Sequence, residues 1–191
     1  MIKPYHKRIV IVGNAGSGKT TLAFQLQKKF NLPLYHLDQY YWQSNWERVG
    51  LEKFNKIHEE LCKKDAWIIE GLYVKVLQQR VAHADVVIFL DMPRFLCIWY
   101  VLKRAIVNFG KVIPGDPENC RQQIFSFEFL RFLKWVWDFN NRYRQMILNI
   151  LHNDEFKDSA NTESSSGQGK KQIYILRSSK EIAAFVQQLE K

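Results

Sequence analysis

Five short apolar runs recur along the chain: Ile9-Val10-Ile11-Val12, Leu34-Tyr35-His36-Leu37, Ala66-Trp67-Ile68-Ile69, Val86-Val87-Ile88-Phe89-Leu90 and Ile173-Tyr174-Ile175-Leu176. They are continuous rather than alternating, and rich in β-branched residues. That is the pattern of strands buried on both faces of a parallel sheet. Helical spacing fills the intervals: Leu22, Ala23, Leu26 and Phe30 share one helical face, as do Phe54, Ile57, His58 and Leu61. A last helix carries Ile182, Phe185, Val186 and Leu189 behind a capping box made by Ser178 and Glu181. Strands alternating with helices predict an α/β fold built on one doubly wound parallel sheet, a single domain over residues 1–191.

Two stretches break the alternation. After the fourth run, Pro93 opens a helix over residues 95–109 that stops near Gly110, and a Gly/Pro-rich loop follows as far as Pro117. Residues 124–151 then form one long aromatic helix in this reading. Its apolar residues go nearly all round, with Phe127, Leu130 and Trp135 off the main stripe, so it requires burial on more than one side. A homodimer is one way to supply that. Residues 153–171 are polar and Ser-rich, with Phe156 their one large apolar side chain, and predict a flexible surface loop.

The 191 residues are 47% hydrophobic, too apolar for a disordered chain. The nearest approach to a membrane span, residues 86–102, is interrupted by Asp91, Pro93 and Arg94, so no membrane partner is expected. Cys62, Cys97 and Cys120 are scattered and form no CxxC pair, which points to reduced thiols in the cytoplasm. The five histidines show no metal-binding spacing. The net charge of +9 is unevenly spread: no acidic residue precedes Asp38, and Arg94, Lys103, Arg104 and Lys111 lie between Asp91 and Asp116. Such a field attracts polyanions, nucleotide or nucleic acid alike, without choosing between them.

Directly after the first run comes Gly13-Asn14-Ala15-Gly16-Ser17-Gly18-Lys19-Thr20, the string G-x-x-x-x-G-K-[ST] between a strand and a helix. Glycines there let successive backbone N–H groups converge on one anion, and the following helix adds its positive dipole end. Lys19 supplies a mobile positive charge for the outer phosphates of ATP, and the Thr20 hydroxyl is a ligand type for Mg²⁺. Small kinases also need a carboxylate near the acceptor and arginines on a lid. Asp38 ends the second run, where it either orients an acceptor hydroxyl or caps a helix or turn. Arg94, Lys103 and Arg104 follow the fourth run, and Arg104 is preferred for offsetting charge on the transferred phosphoryl group. Glu70 ends the third run and would lie beside Thr20 if that strand neighbours the first; Asp91 competes with it for the metal.

Several strings together resemble the bacterial DNA topology modulation (FlaR-like) proteins. They are Thr20-Thr21-Leu22-Ala23, His36-Leu37-Asp38 with Tyr41, Trp42 and Trp46, Trp67-Ile68-Ile69-Glu70-Gly71-Leu72-Tyr73, and Ala84-Asp85 through Asp91 with Pro93-Arg94 and Lys103-Arg104. Lys134-Trp135 and Arg142 continue the resemblance, which covers nearly the whole chain apart from residues 153–171. That family is similar to the adenylate-kinase and shikimate-kinase branch of P-loop kinases. The resemblance implies a five-stranded parallel sheet of order 2-3-1-4-5 with a helical lid over residues 92–121. By position it implies ATP on residues 13–21, Thr21 included, Asp38 facing the acceptor, and Arg104 in the lid. It departs from the family pattern at Glu70, in place of Asp, and at Leu72, in place of Asn.

Two functions follow. One is a Mg²⁺-dependent kinase that transfers the γ-phosphoryl group of ATP to a small hydroxyl or phosphate acceptor, with Tyr40, Tyr41, Trp42 and Trp46 available to stack on a base or sugar. The other is a nucleic-acid-associated ATPase or ATP-binding regulator of DNA topology, motivated by Trp135, Trp137, Arg131, Lys134, Arg142 and Arg144.

Overall fold

The computed structural model describes residues 2, 5–113, 115–118, 120, 124, 126–152 and 171–190. In chain order the elements are β1 (Arg8–Gly13), α1 (Lys19–Phe30), β2 (Leu34–His36), α2 (Leu37–Tyr41), β3 (Trp42–Gln43), β4 (Glu47–Arg48), α3 (Leu51–Lys63), β5 (Trp67–Glu70) and α4 (Val74–His83). Then follow β6 (Val86–Leu90), α5 (Arg94–Val107), α6 (Phe127–Phe139), α7 (Gln145–His152), β7 (Gln172–Leu176) and α8 (Ser179–Glu190). Strands β2, β5, β1, β6 and β7 form one wholly parallel sheet in that spatial order. Among the sheet's own strands this is 2-3-1-4-5, as the resemblance implies.

The β1 strand shows why continuous apolar runs are needed. Ile9 and Ile11 point into one core, with Leu22, Leu26, Val101 and Val136, whereas Val10 and Val12 point into the other, with Phe54, Leu77, Phe139 and Ile147. All four strand residues are completely buried. At about 1.5–3 kcal/mol for each fully buried aliphatic side chain, a polar residue at any of these four positions would be severely destabilising. The order places β1 between β5 and β6, so its carboxyl end opens onto the crevice where the chain winds away in both directions. Ligands of open α/β sheets bind at such a point.

Several elements differ from the sequence-based expectation. The long helix begins at Phe127, where the Ser126 hydroxyl accepts from the Phe129 amide (3.0 Å), and a π-helical turn over Asn140–Arg144 divides it into α6 and α7. One of its faces is exposed, including Phe127, Leu130 and Trp137, so the sheet alone does not bury it all round. The short helix α2, the β3–β4 hairpin and α4 carry too little periodicity to announce themselves. The capping box of α8 is present: Ser178 Oγ accepts from the Glu181 amide (3.2 Å), and a Glu181 carboxylate oxygen accepts from the Arg177 amide (2.9 Å). The expected 153–171 loop lies, apart from Lys171, outside the described residues. Among the described residues no helix is long and apolar enough to cross a membrane.

Candidate active site

The β1–α1 turn has the form its glycines require. Gly16 and Gly18 take φ values of 75° and 93°, and Gly18 caps α1 without any side-chain hydrogen bond, leaving the first helical N–H groups open. A Cβ at Gly16 would collide with the Cys97 carbonyl of α5, so the loop rests directly on that helix. Asn14 anchors the loop elsewhere, donating from Nδ2 to the Val136 carbonyl (2.8 Å), while its own carbonyl accepts from Lys19 Nζ (2.8 Å). Ala15 packs against the core beside α1, and Thr21 is exposed on the first turn of that helix. Among the described residues, the Ser17 hydroxyl and Asn14 Oδ1 are buried without a hydrogen-bond partner, as is Arg104 Nε. The Ser17 hydroxyl and Arg104 Nε are donors, and buried donors left unsatisfied around a loop of this shape fit an anionic ligand such as the phosphates of ATP; Asn14 Oδ1, an acceptor, does not bear on it.

Register brings the metal candidates together. Glu70 pairs with Ile11 on one side and with His36 on the other. Its carboxylate therefore ends two residues short of Gly13, level with the start of α1. Thr20 Oγ1 donates to Glu70 Oε1 (3.2 Å), and His36 Nδ1 lies 2.8 Å from the same oxygen. An ionised carboxylate only accepts, so that ring nitrogen carries the proton in this pair. Burial would raise the Glu70 carboxyl, but the His36 hydrogen bond, the Lys19 charge and the Thr20 hydroxyl outweigh it and hold the group below its ordinary value. A hydroxyl beside an ionised carboxylate is a hard oxygen set of the kind Mg²⁺ takes while keeping several waters, so these residues fit the ion.

Asp91, the rival, is otherwise engaged. Arg144 grips it with two hydrogen bonds of 2.8 Å each, and Arg177 Nε stands 3.6 Å away. It ties β6 to the π-helical turn and to the end of β7 rather than facing Thr20. Arg94 and Lys103 also stay out of the site: Arg94 stacks over Trp137 at 4.9 Å, and Lys103 is exposed to solvent.

Asp38 sits in the first turn of α2, not at the end of a strand. Its carboxylate is open to solvent on one side and densely surrounded on the others. Desolvation first, then the nearby Glu70 charge, raise its pKa, and a hydrogen bond from the Tyr73 hydroxyl to Oδ1 (2.6 Å) opposes them. Burial lowers the Lys19 pKa; the carboxylates of Glu70 and Asp38 pull it back up, while Arg104 pushes it further down. Lys19, Asp38, Glu70 and Arg104 thus share one electrostatic neighbourhood.

Sequence reasoning missed three contributors to it. Tyr73, at φ 29° in the turn after β5, reaches Asp38 with its hydroxyl. Arg80, fully buried, donates to the Gly71 and Leu72 carbonyls (2.6 Å each) and so fixes the turn between Glu70 and Tyr73. Gly115, in the loop after α5, approaches so closely that a Cβ there would come within 2.8 Å of Thr20 and 3.3 Å of His36. That loop is fastened on its far side by the Cys120 thiol, which donates to the Gln43 carbonyl (3.1 Å). The sequence offered a signal only for Gly115, one of two glycines in the Gly/Pro-rich loop after α5.

The residues behind the nucleic-acid reading are largely engaged within the chain. Trp135 stacks on Phe132 and donates to the Tyr143 hydroxyl, Lys134 and Arg142 pair with Asp138, and Arg144 holds Asp91.

Comparison with known structures agrees with this architecture. A shikimate kinase from Bacteroides thetaiotaomicron superposes with a TM-score of 0.54 at 15% identity, covering 96% of both chains. The shikimate kinase from Acinetobacter baumannii in complex with shikimate gives 0.51 at 15% identity, covering 78% of this chain and 82% of that one. The fold is that of the P-loop kinases. At such low identity the likeness fixes the fold and leaves the substrate open. In sequence, the uncharacterized protein YqaC of Bacillus subtilis (strain 168) is 25% identical over 150 residues, covering 76% of this chain and 80% of that protein. No protein-family model matches the chain. The resemblance to DNA topology modulation proteins therefore finds no support among these relatives.

Proposed function

We propose that this protein is a Mg²⁺-dependent phosphotransferase of the cytoplasm, moving the γ-phosphoryl group of ATP onto a small hydroxyl or phosphate acceptor. The observation that carries the proposal is the shared neighbourhood of Lys19, Arg104, Glu70 and Asp38 around the P-loop. It gathers two cations beside the P-loop, a carboxylate beside Thr20, and a second carboxylate that accepts from the Tyr73 hydroxyl.

Residues 13–21 hold the triphosphate through backbone N–H groups, and Lys19 swings from the Asn14 carbonyl to the β and γ oxygens. Thr20 and Glu70 would hold Mg²⁺, which would supply charge neutralisation at the phosphates. Asp38, in its ionised form, accepts the hydrogen bond of the acceptor hydroxyl and takes its proton as the acceptor oxygen bonds to the γ phosphorus and the bridge to ADP breaks. Arg104 offsets the charge spread over the phosphoryl oxygens. Within the expected lid over 92–121, α5 supports the P-loop from the core, and the loop after it, at Gly115, covers Thr20 and His36; residues 114, 119 and 121 of that range lie outside the described residues.

The test is a screen of nucleosides, nucleotides and sugars for ³²P transfer from ATP, repeated with Asp38→Asn. Transfer to one acceptor class, abolished in Asp38→Asn with ATP binding unchanged, is the expected result. An Asp38→Asn protein that transfers as well as wild type would show that another group serves the acceptor.

A further inference from the structure

The outer faces of α5 and α6 form a surface that takes no part in the site described above. On α5, Phe95, Trp99 and Ile106 fall on one stripe, opposite the buried Cys97, Val101 and Ala105. On α6, Phe127, Leu130 and Trp137 form a stripe facing away from Val136. Phe95 meets Trp137 edge-on at 5.0 Å, which joins the two stripes into one patch. Phe95, Trp99, Ile106, Phe127 and Leu130 are each 60–70% exposed, far more contiguous apolar surface than isolated surface residues would give.

Cations run through the patch. Lys103 and Arg131 are exposed within it, Arg131 lying over the Phe127 ring at 4.6 Å and Arg94 over Trp137 at 4.9 Å. No acidic residue occurs between Met92 and Ile113. On α6, Asp138 is already paired with Lys134 and Arg142, and Glu128 lies off the exposed stripe.

We propose that this face docks on an anionic lipid bilayer. Lipid phosphates answer the cations, and the headgroup–acyl boundary takes up Trp, Phe, Ile and Leu side chains that water solvates poorly. A second copy of the chain would set Lys103, Arg131 and Arg94 against their own kind. A nucleic acid would satisfy the cations and leave Ile106 and Leu130 against phosphate. Docking of this type is peripheral and needs no spanning helix. It also bears on the site, because α5 carries Arg104 on its inner side and supports Gly16 through Cys97.

The experiment is co-sedimentation of the full-length protein with vesicles of phosphatidylcholine alone, or of equal parts phosphatidylcholine and phosphatidylglycerol. The proposal expects binding to the mixed vesicles only, weakened by added salt. Lys103→Glu and Arg131→Glu should each weaken it by about tenfold, and Trp99→Ser with Leu130→Ser by about tenfold together. Circular dichroism and ATP binding of the variants serve as the check on folding, and the salt dependence of the wild type stands if a variant does not fold. Absence of binding, equal binding to neutral vesicles, or no effect of salt overturns the proposal. So does a concentration-dependent dimer dispersed by Trp99→Ser, which would assign the face to a second copy, or tighter binding of duplex DNA than of the mixed vesicles.

Discussion

Two carboxylates flank the P-loop strand, Glu70 at the end of β5 and Asp91 just beyond β6, and the chain puts them to opposite uses. Glu70 is 5% exposed and turned toward Thr20, with the ring of His36 beside it. Asp91 is 8% exposed and locked between Arg144 and Arg177. Burial is nearly the same and the partners differ. A carboxylate facing hydroxyl and imidazole keeps capacity for a cation, whereas one already matched by guanidinium groups is a tie between elements. Strand-end position alone therefore does not make a metal ligand; what lies across the gap decides.

The largest expected effect separates the two in catalysis. Glu70→Gln should lower Mg²⁺-dependent phosphoryl transfer by roughly 10²–10³-fold, measured as ³²P transfer once an acceptor is in hand, while Asp91→Asn should leave the rate within a few-fold of wild type. Stability should invert the order. Asp91→Asn leaves Arg144 and Arg177 without their carboxylate and should cost about 1–3 kcal/mol in urea unfolding, at the lower end because both arginines are partly exposed. Glu70→Gln should cost less than Asp91→Asn in the same measurement.

Tyr73→Phe sharpens the Glu70 side of the comparison. The Tyr73 hydrogen bond pulls the raised Asp38 pKa down, so losing it raises that pKa further. In the proposed mechanism activity requires ionised Asp38 and is lost as pH falls through its pKa; the acid limb of the kcat/KM profile should therefore move to higher pH in Tyr73→Phe. The rate at neutral pH should fall by roughly threefold to tenfold.

The smallest effect lies beneath the same turn. Burial, with the Arg80 charge, lowers the His58 pKa to about 4 from 6.5. The unfolded chain then binds the proton more tightly than the folded one, so the stability that neutral His58 contributes is complete above pH 6.5 and lost as pH falls toward 4. His58→Gln should flatten the pH dependence of unfolding between those limits, by about 1 kcal/mol per pH unit or less.

Much of this was legible in the residue order and some of it was not. The five runs, the sheet, the P-loop and the α8 capping box all declare themselves within a few residues of sequence, because the forces that make them are local or act through period; only the three central strands β5, β1 and β6 are buried as such runs predict, whereas the edge strands β2 and β7 are partly exposed, with Ile173 at 40%. The competition between Glu70 and Asp91 was not, since it depends on Arg144, 53 positions beyond Asp91, and on His36, 34 positions before Glu70. The sequence left Asp38 between facing an acceptor and capping a helix or turn; it lies in the first turn of the five-residue α2 without capping it, and nothing in the sequence announced that Tyr73 reaches back to it from the turn after β5. The π-helical turn that interrupts the long aromatic helix is likewise made by tertiary partners: Tyr143 meets Trp135 and Arg144 meets Asp91.

The most direct test of the central claim is calorimetric titration of ATP into wild type, Lys19→Ala, Glu70→Gln and Asp91→Asn, each with and without Mg²⁺. The account predicts saturable binding to wild type that tightens with Mg²⁺, a loss of about 100-fold or more in Lys19→Ala, loss of the Mg²⁺ increment in Glu70→Gln, and its retention in Asp91→Asn. Retention of that increment in Glu70→Gln with its loss in Asp91→Asn, or Lys19→Ala binding ATP as wild type does, would contradict it.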